Sequence, residues 1–291
     1  MSAVIMDGKA LGLKIRERLK EKCEQLKQKG IAPCLAVILV GEDPASLSYV
    51  TSKEKALGEA GIKSRDIRLP ADTQEEGLLS IIADLNKDEN THGILVQLPL
   101  PKQINELNVI CAVAPEKDVD CFHPVSMGNI IIDRPGFLPC TPRGVLTLLE
   151  EYNIPIASSH LVIVGRSNIV GKPLFNLLIS KKYNATVTLC HTGTYDLAYH
   201  TKQADILIAA AGMPSLIKPN MIKENAVVID VGISRVTDAS AKKGYRLCGD
   251  VDVSVMEKAS FFSPVPGGVG PMTIAMLLQN VVEAAENRIR R

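Results

Sequence analysis

The 291-residue chain has no uninterrupted apolar run of about 18 residues, the length a helix needs to cross a bilayer, so no transmembrane helix is expected. Its first ten residues, MSAVIMDGKA, have neither a basic region nor a long apolar one, so they do not read as a signal peptide. Charge of one sign is also missing: the net charge is +1, which gives no electrostatic reason to expect nucleic acid or an anionic membrane as partner. The basic end, Arg288, Arg290 and Arg291, reads as a solvated helix terminus. The seven cysteines are odd in number and scattered, with no CxxC pair, which fits free thiols in a reducing cytoplasm. Cys121 and His123 lie close together, but two isolated ligands do not make a zinc site, and no metal is expected. There is no low-complexity tract and no repeat. With 46% apolar and 22% charged residues the chain can bury a core, and its length suits two domains.

Helical and strand patterns alternate throughout, which predicts α/β layering with mainly parallel strands. The first half reads as a helix over Gly8–Gly30, a strand CLAVILVG ending at Gly41, and a helix from Pro44 capped by Gly61. A strand near Ile67, a helix over Glu75–Asn86 and a buried strand GILVQLPL over Gly93–Leu100 follow. The second half starts afresh with LVIVG (Leu161–Gly165), a helix opening near Ile169–Gly171, and then ATVTLC, DILIAAAG and AVVIDVG. That βαβαβ succession predicts a Rossmann-like, doubly wound parallel sheet. The glycine- and proline-rich segment Ser263–Pro271 leads into a last helix of about twenty residues. The domains divide as 1–140, completed by a returning helix over 271–291, and 141–270, with the boundary near Pro139–Gly144.

VGRSNIVG sets Gly165, Ser167, Val170 and Gly171 between a strand and a helix. Glycine there lets backbone approach a pyrophosphate, and the helix start offers free N–H groups and a positive dipole end. The motif departs from GxGxxG, because Ser167 takes the second glycine's place and the last glycine comes one residue late. NAD enzymes place an acid at the end of the second strand to bind the ribose hydroxyl. Here the residues after Cys190 are His191 and Thr192, and Arg166 lies in the first turn. A missing carboxylate and a nearby guanidinium fit a 2′-phosphate, hence NADP.

Tyr49 and Lys53 are spaced i, i+4 on one helix and share a face. At about 100° per residue, Lys53 lies roughly 70° from the mean direction of Leu47, Val50 and Leu57. That puts it on the shoulder of the buried stripe, where spacing alone also allows a solvated face. Gln97 is polar inside an apolar strand, near the strand end where ligands bind in α/β sheets. Asp118 and Asp120 follow in PEKDVD, where an acid can equally be a cap or turn residue.

Six segments, SYVTSKEKA, GILVQLPLP, PEKDVD with FHP, PCTPRG, VGRSNIVGKP and PVPGGVGPMT, occur in one order from about residue 40 onward. In these the chain resembles the bifunctional methylenetetrahydrofolate dehydrogenase/methenyltetrahydrofolate cyclohydrolase family. The resemblance implies an NADP-dependent enzyme of one-carbon metabolism, contributing to purine biosynthesis, that works as a homodimer with an active-site cleft between its domains. Its substrates would be one-carbon forms of tetrahydrofolate. By the same resemblance Lys53 is the main catalytic residue of hydrolysis, Tyr49 positions substrate, Gln97 bonds and tunes Lys53, and Asp120 grips the pterin edge. Leu98, Pro99 and the loop Pro264, Val265, Pro266, Gly267 and Gly268 line the folate pocket. Arg166, Ser167 and the Thr192 region hold the cofactor phosphates, joined by Gly165, Val170, Gly171, His191, Gly232 and Ile233.

Three positions depart from the family pattern: Cys121 stands where glycine is usual, Ser126 where asparagine is frequent, and Thr192 where serine is usual. Hydride transfer needs orientation more than acid–base help. Water attack needs a proton acceptor, and a lysine serves only if its pKa falls toward neutral from about 10.4. A glutamine neighbour avoids the opposite push of a carboxylate. Three other readings stand beside this one. They are another Rossmann dehydrogenase acting on an amino or hydroxy acid, a folate-binding regulatory protein without catalysis, and a dehydrogenase lacking cyclohydrolase activity.

Overall fold

The computed structural model describes residues 2–41, 44–238, 240–241 and 244–289, the side chains of 44–49 and 289 excepted. In chain order the elements open with β1 (Val4–Ile5), α1 (Gly8–Gln28), β2 (Cys34–Val40), α2 (Pro44–Glu59), β3 (Lys63–Leu69), α3 (Glu75–Lys87) and β4 (Gly93–Val96). There follow α4 (Glu106–Ala112), α5 (Pro124–Ile131), α6 (Cys140–Glu151), β5 (His160–Val164), α7 (Gly171–Ile179), β6 (Thr186–Cys190), α8 (Leu197–Thr201) and β7 (Ile206–Ala209). The chain closes with β8 (Val227–Asp230), β9 (Ser234–Thr237), β10 (Tyr245–Cys248), β11 (Phe261–Phe262) and α9 (Val269–Ile289). Two compact units form: one comprises 1–12, 130–134 and 141–273, the other 13–129, 135–140 and 274–291.

The second of these units is built on a parallel sheet in the order β3-β2-β4. All seven residues of β2 are buried, as expected of a central strand, and each large side chain removed from water contributes about 1.5–3 kcal/mol. The sequence reading carries the third strand to Leu100, but the ladder stops at Val96. Pro99 and Pro101 have no N–H to give, so the chain turns away just after Gln97, whose N–H still reaches Ile38 O at 2.9 Å. Helix α2 ends at Glu59, two residues before Gly61, which has φ +74° and makes a left-handed turn that a side chain would strain.

The other unit holds a six-stranded sheet in the order β1-β11-β8-β7-β5-β6, with every pairing parallel. Strand order reverses between β5 and β7, which is the switch point of a doubly wound sheet and the place where such folds bind ligands. This unit also takes in 1–12, which the sequence division groups with the other half. The reason is local: Val4 and Ile5 form a two-residue strand against β11, too short for any sequence pattern to disclose. The antiparallel β9–β10 hairpin was likewise not foreseen.

Candidate functional site

Helix α2 presents Lys53 on the side of Val50 and Leu57, both fully buried, and Lys53 itself is only 6% exposed. The solvated alternative therefore falls away. Its Nζ donates to Gln97 Oε1 at 3.1 Å. Gln97 is held in turn, because its Nε2 donates to Leu98 O at 2.8 Å, which leaves the amide oxygen to face the lysine. Leu98 is half-buried and Pro99 exposed, joined by a cis peptide bond. Tyr49 lies on α2, but its side chain falls outside the described residues.

Asp120 and Asp118 divide the labour that the sequence left open between them. Asp118 is buried beside β4, where it bridges to Ile94, and its carboxylate accepts from Phe122 N (3.1 Å), His123 N (2.9 Å) and Ser126 Oγ (2.8 Å). It is the residue that shapes the turn; burial raises its pKa against the lowering pull of these bonds. Asp120 stays half-exposed, and its carboxylate lies near the buried Cys140 thiol. Burial, and then Asp120, push the Cys140 thiol well up, while the Lys53 ammonium pulls it down. Lys53, Gln97, Asp120 and Cys140 thus belong to one neighbourhood. Gly93 lets it assemble: a Cβ there would sit 2.7 Å from Val119 Cγ1.

The remaining candidates belong to the other unit. Gly165 has φ +125°, and a Cβ on it would overlap the Ala210 carbonyl across the switch point. A Cβ on Gly171 would overlap Gly165 O. Both glycines are therefore demanded by the chain's own backbone, before any ligand is considered. Ser167 Oγ accepts from Val170 N at 3.1 Å and Gly171 N at 3.4 Å, so the serine in place of the second glycine stabilises the start of α7. Arg166 and Thr192 are exposed. His191 faces its own loop, its Nδ1 accepting from Gly193 N at 3.0 Å. Asp196, the first acid after β6, caps α8 by accepting from Tyr199 N at 3.1 Å. Gly232 is packed against Asp250, and Ile233 is exposed.

Two buried carboxylates that sequence reasoning missed tie these loops down. Asp250 Oδ2 accepts from Ala211 N and Gly212 N at 2.6 and 2.9 Å. Asp230 accepts from Gly232 N, Asp250 N and Val251 N at 2.9–3.0 Å. Burial, against those hydrogen bonds, raises Asp230 to about 6. The signal was present: an acid ending the apolar run AVVID needs partners. Pro264–Gly268 form a tight loop in which Gly268 N donates to Pro264 O at 2.7 Å and Gly267 O accepts from Lys9 N at 2.9 Å. Gly8 allows that approach, since a Cβ there would overlap Gly268 O.

Residues 6–120 match the model of the tetrahydrofolate dehydrogenase/cyclohydrolase catalytic domain, and residues 139–289 match that of its NAD(P)-binding domain. A relative from Exiguobacterium sibiricum, described as bifunctional protein FolD, is 56% identical over 98% of this chain and 100% of its own length. The crystal structure of bifunctional FolD from Campylobacter jejuni superposes with a TM-score of 0.94 at 49% identity, covering 99% of this chain and 100% of that one. The Trypanosoma brucei methylenetetrahydrofolate dehydrogenase-cyclohydrolase, solved with NADP cofactor and inhibitor, gives 0.95 at 38% identity over the full length of both.

Proposed function

Because the chain belongs to the tetrahydrofolate dehydrogenase/cyclohydrolase family, we propose that it oxidises 5,10-methylenetetrahydrofolate with NADP and hydrolyses the 5,10-methenyl product to 10-formyltetrahydrofolate. The observation that carries the assignment of roles is the bond from buried Lys53 to Gln97. A buried amine held by a neutral amide can serve water attack, and this pair sits at the strand end where α/β sheets bind ligands.

In the substrate the carbon to be oxidised lies between two nitrogens, and a nitrogen lone pair expels hydride to leave a methenyl cation. Bound NADP supplies the hydride acceptor. Exposed Arg166 and Thr192, with Ser167 and the start of α7, fit a phosphate-bearing dinucleotide, and the one acid nearby in sequence, Asp196, is committed to a helix cap. The chain's part in this step is alignment. Asp120 accepts from the pterin amino and ring N–H groups, Tyr49 positions the substrate beside Lys53, and Leu98 and Pro99 line its pocket.

In hydrolysis the Lys53 amine takes a proton from water as the oxygen bonds to the methenyl carbon. The C–N5 bond then breaks as N5 takes the proton back from Lys53, the proton of the new hydroxyl leaves to solvent, and the formyl group remains on N10. Gln97 fixes the amine without bringing a charge to it. The test is one absorbance assay with methylenetetrahydrofolate and either NADP or NAD, following reduced cofactor and methenyl compound together. Absence of cofactor reduction would sink the assignment.

The working form is a homodimer, which light scattering at micromolar concentration checks; monomer alone would refute it. The compartment is the cytoplasm, a placement supported by seven cysteines all free of disulfides. Among the described residues no helix is long and apolar enough to cross a membrane.

A further inference from the structure

Asn280 is a fully buried carboxamide in α9, set among Leu277, Leu278, Val281 and Val282. Such a group costs about 1–3 kcal/mol if left unpaired. Its Nδ2 donates to Val119 O at 2.7 Å and to Leu138 O at 2.9 Å, and lies 3.6 Å from Cys140 Sγ. The Cys140 thiol itself donates to Val119 O at 3.4 Å. Two stretches distant in sequence are therefore joined on the N-terminal side of Asp120.

A second tie lies on the other side of Asp120. Cys121 is fully buried and has φ +62°, a left-handed backbone that costs a residue with a side chain roughly 1–2 kcal/mol. What holds it there is its thiol, which donates to Phe137 O at 3.0 Å, together with its own N–H, which donates to Asp118 O at 3.1 Å. The residues flanking Asp120 are thus both strapped to 137–140, one through Asn280 and one through Cys121. The Asp120 carboxylate meets Cys140, which belongs to the same stretch.

We propose that Cys121 and Asn280 are positioning residues that fix the direction of the Asp120 carboxylate toward the pterin edge. This rests on the reading of Asp120 as the group that grips the pterin. A carboxylate that accepts two parallel N–H bonds loses both when its plane turns or drifts by about 1 Å. Neither Cys121 nor Asn280 touches the substrate; each acts through the backbone of its neighbour.

The experiment compares full-length Cys121→Ala, Cys121→Ser, Asn280→Ala and Asp120→Asn, reading kcat, the KM for methylenetetrahydrofolate and the KM for NADP, with folding checked by circular dichroism. Cys121→Ala keeps the left-handed strain and loses the tie, so the folate KM rises roughly five- to twentyfold, with kcat within about threefold and the NADP KM unchanged. Cys121→Ser keeps a donor of similar size and restores the folate KM to within about twofold. Asn280→Ala behaves like Cys121→Ala; if it does not fold, the alanine–serine pair at Cys121 decides. A folded Cys121→Ala protein with the parent folate KM overturns the proposal, as does an equal rise in the NADP KM, which marks general loosening. Asp120→Asn separates the two layers. If it raises the folate KM while Cys121→Ala does not, only the positioning role fails; if it leaves the folate KM unchanged, the reading of Asp120 fails and the proposal with it.

Discussion

Gly171 lies directly against the carbonyl oxygen of Gly165, and Gly165 lies in the same way against the carbonyl of Ala210. The turn between β5 and α7 is therefore closed by three backbone segments with no room for a methyl group at either glycine. The course of the chain into α7 is thus set by its own backbone packing.

Alanine at either glycine must move backbone rather than a flexible side chain, and at Gly165 it must also adopt φ +125°. Gly165→Ala and Gly171→Ala are each expected to destabilise their unit by about 3 kcal/mol or more. Ser167→Gly loses only a capping oxygen and is expected to cost a few tenths of a kcal/mol. Urea denaturation of the three variants checks the order; an alanine variant as stable as the parent would show that the turn has slack.

Lys53→Met keeps the buried apolar stem and removes the amine that Gln97 accepts from. Hydrolysis of supplied methenyltetrahydrofolate should fall to near the uncatalysed rate, while some oxidation of methylenetetrahydrofolate persists and methenyl compound accumulates. Tyr49→Phe should be milder. Gln97→Glu sets a carboxylate beside the ammonium and should also suppress hydrolysis, by holding the proton on Lys53. A folded Lys53→Met protein that hydrolyses at the parent rate would remove Lys53 from the mechanism.

Arg166 is exposed after β5, and the loop following β6 offers hydroxyl and imidazole groups. The enzyme should prefer NADP, and Arg166→Ala should lower kcat/KM for NADP by roughly ten- to a hundredfold while leaving NAD nearly unaffected. Equal losses with both cofactors would mean that Arg166 does not read the 2′-phosphate.

His92 is 6% exposed, and burial, followed by the charges of Arg288 and Lys117, lowers its pKa to about 4. The folded state then binds fewer protons than the unfolded state between pH 6.5 and 4, so this group's contribution is lost as pH falls through that window. His92→Gln should flatten the acid limb of the stability curve, by up to roughly 3 kcal/mol across the window. Urea midpoints at pH 7 and pH 4.5 for parent and variant give the comparison, and parallel acid limbs would contradict it.

Much of this was legible in the residues. Alternating apolar runs and glycine-ended strands disclosed two α/β halves, because a strand's side-chain period and a helix's are local properties that neighbours impose. Helical spacing placed Lys53 at the shoulder of an apolar stripe, but direction around an axis does not give depth. Its burial and its bond to Gln97, 44 residues away, depend on where β4 lies beside β2. The two acids of KDVD look alike in sequence; one became a turn anchor and the other a half-exposed carboxylate because only Asp118 runs alongside Ile94.

By itself, then, the sequence determined the succession of elements, the glycines of the β5–α7 turn and the ordered motifs that mark the family, all carried by residues near one another in the chain. The tertiary structure alone decided the burial of Lys53, the left-handed backbone of Cys121 and the reach of Asn280 to a carbonyl 161 residues earlier. Those depend on which buried polar groups meet when distant segments pack, and a polar group removed from water takes whatever partner the packing brings to it.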